Sequence, residues 1–266
     1  MSINKAAVVG KPIGHSLSPV IHNRAYEVLG LDWHYGRFEV GEGELGSFLK
    51  NAPDEYRGFS VTMPLKGEAF ALSAELDEYA VKSGAVNTLV RSGSGWNGFN
   101  TDVPGAVSAM QERGITALQQ VAVLGAGATA RSLMVAAAQL GAKHFDVWAR
   151  RRAGFEELQN SLPDFDMSFH QLESDTVIDQ DALDLLINTL PGNAADGISV
   201  SSTPALFDVT YAPWPTKLSA KFDSSAVVSG KDLLVHQAIR QLQLMTQVEI
   251  QDENQLLREI RLAISN

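Results

Sequence analysis

The spacing of apolar positions changes period repeatedly along the first hundred residues. Alternating or continuous apolar runs at 6–10, 33–40, 58–62, 85–91 and 96–99 predict strands. Between them, residues 18–29, 44–51 and 65–74 carry helical spacing, and Ser18-Pro19 reads as an N-cap followed by an N1 proline. Ser92-Gly93-Ser94-Gly95 reads as a hairpin turn. Strands alternating with helices predict a mainly parallel sheet in an α/β domain.

A helix over 103–113, closed by Gly114, leads into a second α/β series. Strands are expected at 120–124, 145–149, 185–188, 207–210 and 227–228, with helices at 129–140 and 155–161. From Leu233 onward the pattern is helical, with Leu234, Ile239, Leu242 and Leu256 on the apolar positions. The boundary near Val103-Pro104 divides the chain into domains at 1–103 and 104–234, with a cleft expected between them.

Composition narrows the function classes. A net charge of −10, spread along the chain, argues against nucleic acid as a partner. There is no cysteine, so disulfide and thiolate chemistry are excluded, which fits a reducing, cytoplasmic location. No run of apolar residues is long enough to span a membrane, and residues Met1–Lys5 lack the apolar core of a signal peptide. The six histidines are scattered and show no metal-ligand spacing.

Candidate chemistry begins at Lys66. The run Phe59-Ser60-Val61-Thr62-Met63-Pro64 reads as a buried strand stopped by proline, so Lys66 stands where a strand opens into a crevice. An ammonium held there partly out of water would have a lowered pKa and could exchange a proton with a ligand. An ordinary helix-opening lysine is the competing interpretation. Gly14-His15-Ser16-Leu17-Ser18-Pro19 sets two hydroxyls and a helix N-terminus after the first strand, a small site for a carboxylate. Asn87 and Asp102 come from Gly84-Ala85-Val86-Asn87-Thr88 and Asn100-Thr101-Asp102, and Asp102 either caps the connecting helix or faces Lys66.

Gly125-Ala126-Gly127-Ala128-Thr129-Ala130 matches G-x-G-x-x-G/A between a strand and a helix, the dinucleotide fingerprint. The first glycine makes the turn, the second admits a pyrophosphate, and the helix N-terminus faces it. After the next strand, Arg150, Arg151 and Arg152 stand where a carboxylate would bind the ribose of NAD. Guanidiniums fork onto a 2′-phosphate, so the run favours NADP.

Together, Pro12–Pro19, Ser60–Lys66, Gly84–Thr88 and Asn100–Asp102 resemble shikimate dehydrogenase. The resemblance continues in order along the chain. Asp208-Val209-Thr210-Tyr211 with Pro213, Pro215 and Thr216 is similar to the family's D-x-x-Y-x-P-x-x-T segment. Gly230-Lys231-Asp232-Leu233-Leu234-Val235-His236-Gln237-Ala238 is similar to its G-x-x-M-L-x-x-Q-A segment. The resemblance implies NADP-linked, reversible reduction of 3-dehydroshikimate to shikimate in aromatic biosynthesis, by a monomer or homodimer. It implies that Ser16 and Ser18 hold the substrate carboxylate, with Thr62, Asn87, Asp102, Tyr211 and Gln237 completing the substrate site. Lys66 and Asp102 would be the catalytic pair. Glu78, Val209 and Gly230 would line the nicotinamide, and Gly125, Ala126, Gly127, Ala128, Thr129, Arg150 and Arg151 would hold the rest of the cofactor. It also implies that the C-terminal helices, 235–266, pack back on the N-terminal domain.

Departures fall on the cofactor side: Gly-Ala-Gly-Ala-Thr for the commoner Gly-Ala-Gly-Gly-Ala, Ala149-Arg150-Arg151 for Asn-Arg-Thr, Asn188-Thr189-Leu190-Pro191 for Asn-Ala-Thr-Pro, Asp232 for glycine and Leu233 for methionine. Ser16 in place of threonine favours shikimate over quinate. A quinate/shikimate or aminoshikimate paralogue and a non-catalytic ligand sensor are the competing readings.

Overall fold

The computed structural model describes residues 4–180 and 182–265. The opening Met1-Ser2-Ile3, read in the sequence as the lead-in to the first strand, lies outside the described residues. The chain divides into two compact units: residues up to Thr101 together with those from Val235 onward, and Asp102–Leu234.

The first unit is built on a five-stranded sheet. In chain order its elements are β1 (Asn4–Gly10), α1 (Ser18–Val28), β2 (Trp33–Glu39), α2 (Leu45–Lys50), β3 (Tyr56–Val61), α3 (Lys66–Leu72), α4 (Glu78–Ser83), β4 (Thr88–Ser92) and β5 (Gly95–Phe99). Strand order is β2-β1-β3-β4-β5. The first three strands run parallel, and β4 and β5 form an antiparallel hairpin on the β3 edge. Alternation in β3 sends Phe59 into a core with Val9, Leu45, Leu65 and Leu89 and turns Ser60 to the opposite face.

Two local expectations are corrected. Leu17, not Ser18, occupies the N-cap of α1, and the helix opens with Ser18 and Pro19 inside its first turn. The strand expected from Ala85 starts at Thr88, because α4, which the sequence pattern did not suggest, runs up to Gly84. Gly84 closes α4 in the left-handed region at φ 60°, which glycine adopts without steric cost. Asp77 caps the start of α4 by accepting the Ala80 N–H at 2.8 Å.

The second unit contains α5 (Asp102–Glu112), β6 (Gln120–Leu124), α6 (Ala128–Gln139), β7 (His144–Ala149), α7 (Arg152–Ser161), β8 (Asp166–Gln171), β9 (Val177–Ile178), β10 (Leu185–Asn188), β11 (Ser199–Val200), β12 (Ala205–Asp208) and β13 (Val227–Ser229). Six strands form a parallel sheet in the order β13-β12-β10-β6-β7-β8, while β9 and β11 pair separately. The order reverses between β6 and β10, so the glycine turn after β6 sits at a topological switch point. Strand β8 was missed because Asp-Met-Ser-Phe-His-Gln is an edge strand whose polar residues break the apolar pattern.

The helical tail forms two helices, α8 (Gly230–Thr246) and α9 (Glu253–Ala263), and Gln247, just past α8, has φ 58°. Helix α8 begins in the second unit and continues into the first. Helix α9 packs along α1, where Arg24 pairs with Glu259 at 2.5 Å. No helix among the described residues is long and apolar enough to cross a membrane.

Candidate active site

Topology collects the polar residues of the first unit at one edge of its sheet. The ends of β1 and β3, the start of β4 and the end of β5 all lie there, since Ser60 pairs with Thr88 and Thr88 with Phe99. Ser16 and Ser18 follow β1. The Ser16 hydroxyl accepts the Ser18 N–H at 3.3 Å, so it caps the first turn of α1 from outside the helix. Ser18 is buried, and its carbonyl accepts the His22 Nδ1–H at 3.0 Å. Thr62 follows β3 and is fixed by its N–H to the Val9 carbonyl at 3.0 Å.

Lys66 is the first residue of α3, one turn past Thr62, and is half-buried. It opens a helix, and it does so at the sheet edge that carries the other polar groups. Its carbonyl accepts the Val86 N–H at 3.1 Å, which ties the start of α3 to the segment leading into Asn87.

Asn87 is buried, and its Oδ1 accepts the Thr101 N–H at 2.8 Å and the Thr88 hydroxyl at 2.8 Å, with the Thr101 hydroxyl 3.1 Å away. Thr101 in turn approaches Gln237 Oε1 at 3.4 Å, bringing α8 to the same edge. Asp102 is the next residue in the chain, buried in the first turn of α5. Ser16, Ser18, Thr62, Lys66, Asn87 and Gln237 thus belong to one sheet edge of one unit. Glu78 does not join them: it is exposed on α4 and pairs with Lys82 at 3.4 Å.

Sequence reasoning missed the layer behind these residues. Tyr35 donates to Ser60 Oγ at 2.5 Å, Ser60 to Gln241 Oε1 at 2.8 Å, and Gln241 Nε2 to Thr88 Oγ1 at 2.9 Å. Two signals were present. Ser60 is a polar residue within a buried strand, and Gln241 follows Gln237 by four residues, which places both on one helix face.

In the second unit the chemistry is carried by backbone. Gly125 has φ 104°, and a Cβ there would meet the Thr189 hydroxyl, which is held by the Leu124 carbonyl at 2.8 Å. Gly127 is the N-cap of α6 and offers no side chain, so the first-turn N–H groups face outward without a side-chain cap. Ala130 is fully buried, which gives α6 its close approach to the sheet. Ala126, Ala128 and Thr129 are half-buried in this turn.

Arg150 and Arg151 follow β7 and are exposed. Arg152 is committed elsewhere: it lies over the Phe169 ring at 5.1 Å and pairs with Glu156 at 3.4 Å. Asp146, the carboxylate within β7, is buried and accepts from His170 at 2.5 Å and Gln180 at 2.8 Å.

The Asp208 carboxylate organises the segment that carries Val209 and Tyr211. It accepts from Asn188 Nδ2 at 3.0 Å, the Thr210 N–H at 3.1 Å and the Thr216 hydroxyl at 2.8 Å. Tyr211 is half-buried, and burial raises its phenol pKa. Gly230 packs where a Cβ would collide with the Val209 carbonyl. Asp232 is absorbed locally. It accepts the Ser229 N–H at 2.9 Å and hydroxyl at 2.8 Å and pairs with Arg113 at 3.3 Å, so it caps α8.

Comparison with known proteins agrees with this arrangement. Residues 8–89 match the family model described as the shikimate dehydrogenase substrate binding domain. The shikimate dehydrogenase (NADP(+)) of Bacillus cereus strain AH187 is 32% identical over 252 residues, covering 90% of this chain and 91% of that protein. The Mycobacterium tuberculosis shikimate dehydrogenase structure shares 34% identity at a TM-score of 0.83, covering 98% of this chain and 99% of that one. The shikimate 5-dehydrogenase of Thermus thermophilus, solved with NADP(H) and shikimate, shares 28% identity at a TM-score of 0.78, covering 98% of this chain and 100% of that one. The chain belongs to the shikimate dehydrogenase family.

Proposed function

We propose that this chain is an NADP-dependent shikimate dehydrogenase, reducing 3-dehydroshikimate reversibly to shikimate in aromatic biosynthesis. The observation that carries this reading is the sheet edge of the first unit, where hydroxyls, an amide and an ammonium converge. A small polyhydroxy ring acid needs that mixture. Ser16 and Ser18, beside the N-terminus of α1, suit its carboxylate. Thr62, Asn87 and Gln237 suit its hydroxyls, with Asp102 and Tyr211 completing the set.

We assign the first unit to substrate and the second to the dinucleotide. The turn at Gly125–Gly127, with no side chain larger than the Ala126 methyl, fits a pyrophosphate, and exposed Arg150 and Arg151 fit a 2′-phosphate. Val209, Gly230 and Glu78 would line the nicotinamide side. NADPH, when bound, supplies the hydride. Lys66 donates a proton to the substrate carbonyl oxygen in reduction and recovers it from the hydroxyl in oxidation. Asp102 orients and balances the ammonium.

The reading extends to a cytoplasmic enzyme acting as a monomer or homodimer. A chain without cysteine needs no oxidising compartment to fold, and one chain holds every residue named. The test is shikimate-dependent reduction of NADP, followed by absorbance of the reduced cofactor, beside quinate and NAD. The expected result is the highest kcat/KM for shikimate with NADP. A higher value for quinate with NAD would favour the quinate paralogue, and turnover with none of these pairs would favour a ligand sensor.

A further inference from the structure

The orientation of the Asn87 amide can be derived from the backbone. The Thr101 N–H is an obligate donor and lies 2.8 Å from one end of that amide, so this end is Oδ1. The Thr88 hydroxyl, 2.8 Å from the same oxygen, must therefore donate to it. The Gln241 atom 2.9 Å from Thr88 Oγ1 must then be the donor Nε2, which leaves Oε1 facing Ser60. Ser60 donates to that oxygen at 2.8 Å and accepts from Tyr35. Burial raises the Tyr35 phenol pKa, so the head of the chain stays protonated. Every link is buried, and each hydroxyl spends its one proton in the same direction.

We propose that Thr88 is a positioning residue for the substrate site, and that the Tyr35–Ser60–Gln241–Thr88 chain locks Asn87 so that it meets substrate as a donor. The Thr101 N–H and the Thr88 hydroxyl fill the two lone pairs of Oδ1, so the end of the amide that can serve a ligand is Nδ2. Whatever else Nδ2 touches, it remains a donor. The group it recognises is therefore an acceptor oxygen of the ring acid, a hydroxyl lone pair or a carbonyl. The flipped amide would offer an acceptor instead and would set Nδ2 against the Thr101 N–H.

This inference rests on the shikimate reading, so its test includes a readout that does not need turnover. Thr88→Val keeps the shape and the strand propensity while deleting the hydroxyl. It is expected to lower kcat/KM for shikimate by about tenfold or more, leaving KM for NADP unchanged. Thr88→Ser restores the wild-type value to within about twofold, because its hydroxyl makes the same bonds. The Asn87→Ala/Thr88→Val double variant is expected to be no slower than Asn87→Ala alone. Should Thr88→Val not fold, Ser60→Ala breaks the chain two links upstream and is expected to shift kcat/KM in the same direction. In ligand-free, ¹⁵N-labelled protein, the Asn87 side-chain amide is expected to give one sharp pair of signals in wild type and Thr88→Ser, and broadened or doubled signals in Thr88→Val. Unchanged amide signals in Thr88→Val, or additive losses in the double variant, would overturn the proposal. Failure of wild type to turn over shikimate would overturn only the functional reading, because the amide signals are read without substrate.

Discussion

The two units present different kinds of atoms. At the sheet edge of the first, Ser16, Ser18, Thr62, Lys66, Asn87 and Gln237 offer side chains. In the second, the Gly125 N–H is taken by the Trp148 carbonyl at 2.9 Å, and the uncapped start of α6 after Gly127 offers backbone N–H groups. Side chains must be aimed, and the first unit accordingly carries a buried hydrogen-bonded layer behind them, from Tyr35 to Thr88. Backbone needs only the right turn and room for a ligand. One glycine at φ 104° and a helix N-terminus provide that. Departures from the family pattern in the glycine turn fall where the chain offers backbone rather than side chains. Ala128 and Thr129 stand in the uncapped first turn of α6, and Asp232 caps α8 and pairs with Arg113.

Loss of the Lys66 ammonium should cost the most. If the first unit works through aimed side chains, Lys66→Ala should lower kcat by about 10²–10⁴-fold, the usual worth of positioned acid–base catalysis. Shikimate binding, measured by calorimetry, should stay close to wild type, because the remaining polar groups keep their places. Wild-type turnover in this variant would remove Lys66 from the chemistry.

Much of this was legible in the sequence, and the reason differs between elements. The Gly125 turn is readable because its glycines are demanded by local backbone geometry, which leaves a fixed spacing in the chain. Asn87, Lys66 and Asp102 are readable as polar residues where strand patterns end. The supporting layer was not, because its members lie far apart: Tyr35, Ser60, Thr88 and Gln241 are joined only by folding. Helix α4 was missed for another reason. It is a single short segment whose Asp77 cap and Gly84 stop flank few apolar residues. Arg152 looked equivalent to its two neighbours in the sequence. Only the fold shows it laid over Phe169.

The aromatic side of the buried layer should make the first unit sensitive to acid. His22 is fully buried, stacked on Tyr35 with ring centroids 4.0 Å apart, edge-on to Tyr26, and bonded through Nδ1 to the Ser18 carbonyl. Burial lowers its pKa from 6.5 to about 4. Between these values the folded chain holds neutral His22 while the unfolded chain takes up a proton. This contribution to stability is therefore fully present above pH 6.5 and is lost as pH falls towards 4. A shift of this size corresponds to about 3 kcal/mol. Urea denaturation from pH 7 to pH 4 should show wild type losing stability with a slope one proton steeper than His22→Phe, which keeps the ring stack. Equal slopes would assign the acid sensitivity to another group.

The smallest expected effect tests the second unit where it does use a side chain. Arg150 is exposed after β7, Arg152 is occupied by Phe169 and Glu156, and the Asp146 carboxylate is turned inward to His170 and Gln180. The end of β7 therefore presents exposed guanidinium, and its one carboxylate is already hydrogen-bonded. Charge-assisted hydrogen bonds to phosphate are worth more than neutral ones, but an exposed pair is screened by solvent. Arg150→Ala should accordingly raise KM for NADP by about tenfold and leave KM for NAD nearly unchanged. The gap between the two cofactors should narrow as salt is added, because screening weakens the wild-type contact and the variant has none to lose. An equal rise for both cofactors would place Arg150 on a part of the dinucleotide that NAD and NADP share. Recognition in the second unit would then rest on backbone and Arg151.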